Sequence, residues 1–130
     1  MNFDDYADSY YRLLKNQEKT FKFFAPDRYY FIKYKVDLLA DIIKDNPKSI
    51  LDYGCGIGLS LPYLMNNFPM SKISATDISE NSLSLVSKNF PKIKVINDTN
   101  LSNNSFDIIY CAGVFHHINA KNRTLVLKRL

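Results

Sequence analysis

Three glycines at alternate positions, Gly54, Gly56 and Gly58, follow Asp52 in the run Leu51-Asp52-Tyr53-Gly54-Cys55-Gly56-Ile57-Gly58. Glycine lacks a Cβ and tolerates positive φ, so a backbone built this way passes within contact distance of a ligand. The turn leads into a helix-like run whose first amides point at whatever sits there. Asp77 closes the next apolar stretch, 23 residues past Gly54. An acid at that place takes both hydroxyls of a ribose; as a bland alternative it faces the start of a helix. Asp98, in Asn97-Asp98-Thr99-Asn100-Leu101, is either an acceptor for a ligand or a turn former. His116 and His117 are the only histidines. A neutral imidazole there could take a proton from a hydroxyl or an amine; otherwise one packs under Ile118 and its neighbour caps a loop.

The spacing bears on which nucleotide. A dinucleotide fingerprint needs G-x-G-x-x-G, but the third position falls on Leu59 counted from Gly54 and on Leu61 counted from Gly56. What stands here is G-x-G-x-G with an acid two places ahead. That pattern resembles motif I of the class I S-adenosylmethionine (SAM)-dependent methyltransferases, hhDhGxGxG. A nicotinamide-dependent oxidoreductase is demoted by the same spacing and stays as a rival. Two further segments carry the resemblance: Phe106-Asp107-Ile108-Ile109-Tyr110-Cys111-Ala112-Gly113-Val114-Phe115-His116-His117 matches the family's fourth strand and exit loop, and Phe3-Asp4-Asp5-Tyr6-Ala7-Asp8-Ser9-Tyr10 is similar to an FDxxAxxY opening.

The resemblance implies a division of labour. Asp52, with the backbone around Gly54, Cys55, Gly56 and Gly58, would meet the methionine end of SAM, and Asp77 would grip the ribose. Asp98 would accept from the adenine amino group, with Ile78 and Thr99 sandwiching the ring. Ala112 is small enough for cofactor and acceptor to approach the strand end, and His116 and His117 would sit near the methyl group. Tyr6, Tyr10 and Tyr11 would belong to a lid helix close to the acceptor. The implied reaction is methyl transfer from SAM to a small-molecule acceptor. A truncated SAM-binding or interaction module without turnover is the alternative. The [DNS]-P-P-[YFW] tetrapeptide of methyltransferases acting on DNA amines is not found after the fourth strand, and there is no three-cysteine site for radical-SAM chemistry.

These residues need an α/β scaffold. Strands are expected at Ser49–Tyr53, Lys72–Thr76, Lys92–Asn97 and Phe106–Cys111, and helices at Leu59–Asn67, Glu80–Asn89 and Ala120–Leu130. Alternation of this kind predicts a Rossmann-like, doubly wound, mostly parallel sheet; the family's order makes it 3-2-1-4, with family strands 5–7 missing. Ahead of it lie an aromatic helix over residues 3–16 and a second helix from Asp27, a plausible N-cap, to Lys44. The apolar face of that helix reads as Phe31, Tyr34, Leu38, Leu39, Ile42 and Ile43. The expected domains are therefore a helical lid, 1–47, and a SAM-binding domain, 48–130. Strand Phe106–Cys111 would leave an open edge through which copies could pair.

Composition agrees with one globular domain: 130 residues, 46% hydrophobic and 23% charged. No run reaches the ~18 apolar residues of a membrane span, and the acidic start, Met1-Asn2-Phe3-Asp4-Asp5, is no signal peptide. The expected compartment is the cytoplasm. The net charge of +4 comes from lysines scattered among acids, which argues against a nucleic-acid surface. Cys55 and Cys111 lack metal-ligand spacing, so no metal is expected, and they read as reduced thiols beside a ligand pocket.

Overall fold

In the computed structural model, residues 2–5, 7, 9, 11, 12, 26–101 and 105–130 are described. Four strands, β1 (Ser49–Tyr53), β2 (Lys72–Thr76), β3 (Lys94–Val95) and β4 (Ile108–Tyr110), form one parallel sheet in the order β3-β2-β1-β4. Helices α1 (Pro26–Ile42), α2 (Leu61–Asn67), α3 (Glu80–Asn89) and α4 (Ala120–Arg129) surround it. The expected fold class and strand order are thus found. Parallel neighbours need a crossover each, and α2 and α3 supply the two that join β1 to β2 and β2 to β3.

Burial explains why β1 is central. Ile50, Leu51, Asp52 and Tyr53 are all buried, as in a strand covered on both faces. The core gathers Ile50, Leu61, Leu64, Ile73, Val86 and Tyr110 with Val36 of α1. Leu64 is wholly enclosed. Leu64→Ala should therefore cost about 2–5 kcal/mol, read as a lower urea midpoint with an unchanged slope.

The helix facing the sheet from the N-terminal side corrects an expectation. Phe31, Tyr34, Leu38 and Ile42, read as core-facing, are exposed. Val36 is buried, and Leu39, Ala40 and Ile43 pack against the core beside it. Lys33, Lys35, Asp37 and Asp41 are spread among its apolar and aromatic residues, so its periodicity does not single out a face; the contact with α2 does. Boundaries shift as well. The helix starts at Pro26, which puts Asp27 inside the first turn rather than at the cap, and it ends at Ile42 with Ile43 N–H still donating to Leu39 O at 2.9 Å. Strand β3 shrinks to two residues, although Ile96 N–H continues to Ala75 O at 2.9 Å. Asn97 then accepts from Thr99 N–H and turns the chain into a short 3-10 helix, Asp98–Asn100.

Caps and staples fix the ends. Ser79 caps α3, accepting from Ser82 N–H at 3.1 Å. Asp107 ties the starts of β1 and β4 together: its carboxylate accepts from Lys48 N–H at 2.7 Å and Ser49 N–H at 3.0 Å. These amides hold the carboxyl below its ordinary range. No helix among the described residues is long and apolar enough to cross a membrane.

Candidate functional site

The glycine loop is folded over the carboxyl end of the sheet by its own amides. Gly54 N–H and Cys55 N–H both donate to Thr76 O, at 2.9 and 3.0 Å, binding the exit of β1 to the end of β2. Gly54 has φ +73, and a Cβ there would lie 2.3 Å from Val114 Cγ2. Only glycine lets the chain lie this close to the loop after β4. Gly56 N–H donates to Asp77 Oδ2 at 2.8 Å, and a Cβ on Gly56 would meet open space. Gly58 serves differently. Its Cβ position is crowded by Leu61, Phe90 and Val86, so the third glycine lets the loop pack on α2 and α3.

Among the described residues Asp52 is the one carboxylate taken fully out of water, 2% exposed at the end of β1. Ser60 Oγ donates to it. Burial pushes its pKa up to about 7, opposed by the Ser60 hydrogen bond and reinforced by the negative charge of Asp77. Ser60 heads α2 without capping it, because its hydroxyl is spent on Asp52. Asp77 accepts from Gly56 N–H and, at 2.9 Å, from Ser79 N–H. Two acceptor sites of its carboxylate are so used, and about two remain. Burial, with the charges of Asp52 and Asp77, drives the Cys55 thiol far upward, which leaves it un-ionised and a poor nucleophile. Both cysteines are free thiols.

A cavity of about 550 Å³ opens above these groups. Asp52, Gly54, Cys55, Gly56, Asp77, Ile78, Asp98, Ala112 and His117 all line it. Four expected site residues do not: Gly58, Thr99, His116 and Tyr11. Thr99 directs its hydroxyl to Asn97, at 2.8 Å, instead of to the cavity. His116 stacks on His117 with ring centroids 3.8 Å apart. Tyr11 packs in a small cluster with Ala7 and Ile57. Tyr6 and Tyr10 lie outside the described residues.

Several wall residues were not among the expected site residues. Phe3 and Ala7 cover one side, and the Phe3 ring meets His117 edge-on at 5.8 Å. Asp4 secures that segment, accepting from Ser79 Oγ at 2.6 Å and Asn81 N–H at 3.2 Å. Lys35 and Ile32 of α1 also reach the cavity. At the far end Arg129 Nη2 donates to both oxygens of Asp98, each at 2.8 Å, and to the Tyr53 hydroxyl at 3.0 Å. Burial, with the Asp98 charge close by, keeps the Tyr53 phenol above its ordinary range and protonated. A buried acid without a partner in the pattern D-x-G-x-G-x-G-x-S could have flagged Ser60. No local signal pairs Arg129 with Asp98, 31 residues away. Among the described residues no cluster of three or more His, Cys, Asp or Glu side chains could hold a metal ion.

Comparison with known proteins agrees with this arrangement. Residues 51–130 match the family described as Methyltransferase domain. A malonyl-[acyl-carrier protein] O-methyltransferase of Halalkalibacterium halodurans is 29% identical over 96 residues, 66% of this chain and 35% of that protein. The matched part of the chain spans between about a fifth and just over a third of the curated relatives' lengths. A TehB-like SAM-dependent methyltransferase from Corynebacterium glutamicum superposes with a TM-score of 0.66 and 20% identity, covering 97% of this chain and 67% of the other. PKMT2 from Rickettsia typhi, solved in complex with AdoHcy, gives 0.52 with 26% identity over 62% of this chain and 17% of that one.

Proposed function

This chain belongs to the methyltransferase-domain family, and on that premise we propose that it binds SAM and transfers its methyl group to a small-molecule acceptor. One observation carries the reading: a single cavity at the carboxyl ends of the strands unites the glycine loop with Asp52, Asp77 and Asp98. Ligands of doubly wound sheets bind in that crevice, where the strand order reverses; here β1 is flanked by β2 on one side and β4 on the other. The volume lies in the range of small-ligand sites, ~300–1,000 Å³. The open space at Gly56 and the un-ionised Cys55 fit an approaching ligand backbone.

When bound, SAM supplies a methyl group already activated on a sulfonium. The chain's own task is to bind and orient. Asp52, once ionised, faces the amino-acid ammonium. The free acceptor sites of Asp77 meet the ribose hydroxyls, Asp98 meets the adenine amine, and Ile78 covers the ring. Ala112 leaves room at the end of β4. Holding two reactants in line can supply as much as ~7–11 kcal/mol of the barrier. Phe3 and Ala7, secured through Asp4, act as part of a lid that excludes water.

Besides Asp52, Asp77 and Asp98, the cavity wall carries Lys35 and His117 with apolar neighbours. That favours an anionic acceptor such as a carboxylate, which needs no base to be methylated; the Halalkalibacterium halodurans relative is named for a malonyl acceptor. His117 then orients the acceptor.

Thermal unfolding with added ligand tests the reading. At a hundred times its dissociation constant a ligand stabilises by ~2.7 kcal/mol, so SAM and S-adenosylhomocysteine should raise the melting temperature and NAD should not. A shift with NAD alone would transfer the chain to the oxidoreductases. A SAM shift without methylation of any member of a carboxylate, amine and hydroxyl panel would mark a binding module.

A further inference from the structure

We propose that Arg129 is a positioning residue, which fixes the Asp98 carboxylate at the nucleoside end of the cavity and so sets a preference for a purine bearing an amino group. The inference rests on the SAM reading above and extends it to a residue of α4.

The three side chains come from three separate places: Tyr53 from the end of β1, Asp98 from the turn after β3, and Arg129 from α4. All three line the cavity together with Ile78 and the glycine loop. One guanidinium nitrogen sits 2.8 Å from each Asp98 oxygen and 3.0 Å from the Tyr53 hydroxyl. A nitrogen placed between two carboxylate oxygens uses one acceptor site on each. A carboxylate offers about four, which leaves one on each oxygen for an incoming amine. Arg129 therefore orients Asp98 without exhausting it.

The need for such a brace is visible in the backbone. Asp98 follows a strand of two paired residues and sits in a single 3-10 turn, so nothing in its own element locks its side chain. The Asp98 side chain is 18% exposed and that of Arg129 42%. The carboxylate thus looks inward while the cation closes the outer side, and solvent screens the pair less than an open surface pair. A purine with an amine at C6 donates to the held carboxylate. A purine with a carbonyl there sets acceptor against acceptor, and a site built for a hydrogen bond rejects such an analogue strongly.

Calorimetric titration with S-adenosylhomocysteine and S-inosylhomocysteine isolates that group. The unmodified chain should bind the adenosyl compound at least about tenfold more tightly. Arg129→Met, which keeps the aliphatic stem, should weaken the adenosyl compound about tenfold, or ~1.4 kcal/mol, and leave the inosyl compound nearly unchanged. Arg129→Lys should restore part of the preference. Tyr53→Phe removes the hydroxyl that accepts from Arg129, keeps the ring, and should show the same trend more weakly; it carries the test if Arg129→Met does not fold. Equal weakening of both compounds would reduce Arg129 to wall packing and overturn the proposal. Unchanged or tighter adenosyl binding would overturn it too, by making the pair a block on Asp98. If the unmodified chain binds neither compound, the cofactor reading itself fails. If it binds both alike, the assignment of Asp98 to the amine fails and the proposal with it.

Discussion

Asp52→Asn should make the chain more stable near pH 8 and a poorer binder of SAM. Burial raises the Asp52 pKa from 3.8 to about 7. A folded state that holds its proton more tightly than the unfolded state loses stability as pH climbs between those two values. The cost is absent below about pH 4 and complete above about pH 7, and a rise of about three in pKa corresponds to roughly 4 kcal/mol. The neutral amide escapes that cost while keeping a partner for Ser60 Oγ. The melting temperature of Asp52→Asn should therefore exceed the parent's at pH 8, with the gap closing toward pH 5. Affinity should move the other way: losing a charge-assisted hydrogen bond of ~1.5–3 kcal/mol weakens SAM about ten- to a hundredfold. In the parent, affinity should fall as pH drops below about 7, because Asp52 must give up its proton to face an ammonium. Equal melting temperatures at all pH values would mean that the loop already stabilises the carboxylate, and Asp52 would then be a structural strand-end acid.

Gly54→Ala should be the most damaging exchange in the loop. The added methyl would stand 2.3 Å from Val114 Cγ2, on a backbone whose φ is +73. A left-handed residue other than glycine costs about 1–2 kcal/mol, and forced overpacking about 1–3 kcal/mol more. For a domain of this size the melting temperature should fall by roughly 10–20 °C. Val114→Ala on the same chain should recover the steric part and leave the backbone part, a coupling that a double-mutant cycle measures. Gly56→Ala is the control: its methyl meets no atom within 4 Å, so stability should suffer less than binding. If Val114→Ala rescues nothing, the close approach of the two loops is not what requires glycine.

Much of this is legible in the sequence, and the reasons differ by residue. The parallel sheet follows from the alternation of strands and helices, its order from the family resemblance, and the glycine loop from the need of a close-passing backbone for glycine. Asp77 follows because strand ends in such sheets share one crevice, and Asp98 from the family resemblance. What the sequence hides depends on partners far along the chain. The orientation of the Pro26–Ile42 helix turns on Val36 rather than on the more numerous aromatics, since charged residues interleave with apolar ones around it and leave no directional pattern. Ser60 has the look of a helix cap, yet the hydroxyl goes to a buried acid that competes more strongly for it. Thr99 lies next to Asp98 but does not line the cavity, and its hydroxyl donates to Asn97. Nothing local could have paired Arg129 with Asp98.

The Asp107 staple bears on the order in which the molecule assembles. It joins segments 58 residues apart, whereas β1 meets β2 across 23. A sheet without hairpins must close every loop before any pair is rewarded, and each doubling of loop length adds about 0.6 kcal/mol. The bias toward β1–β2 is a few-fold rather than absolute, but it is compounded by a ladder of five residue pairs against three. A chain caught midway thus already has Asp77 joined to the glycine loop while the stretch after β4 has yet to arrive.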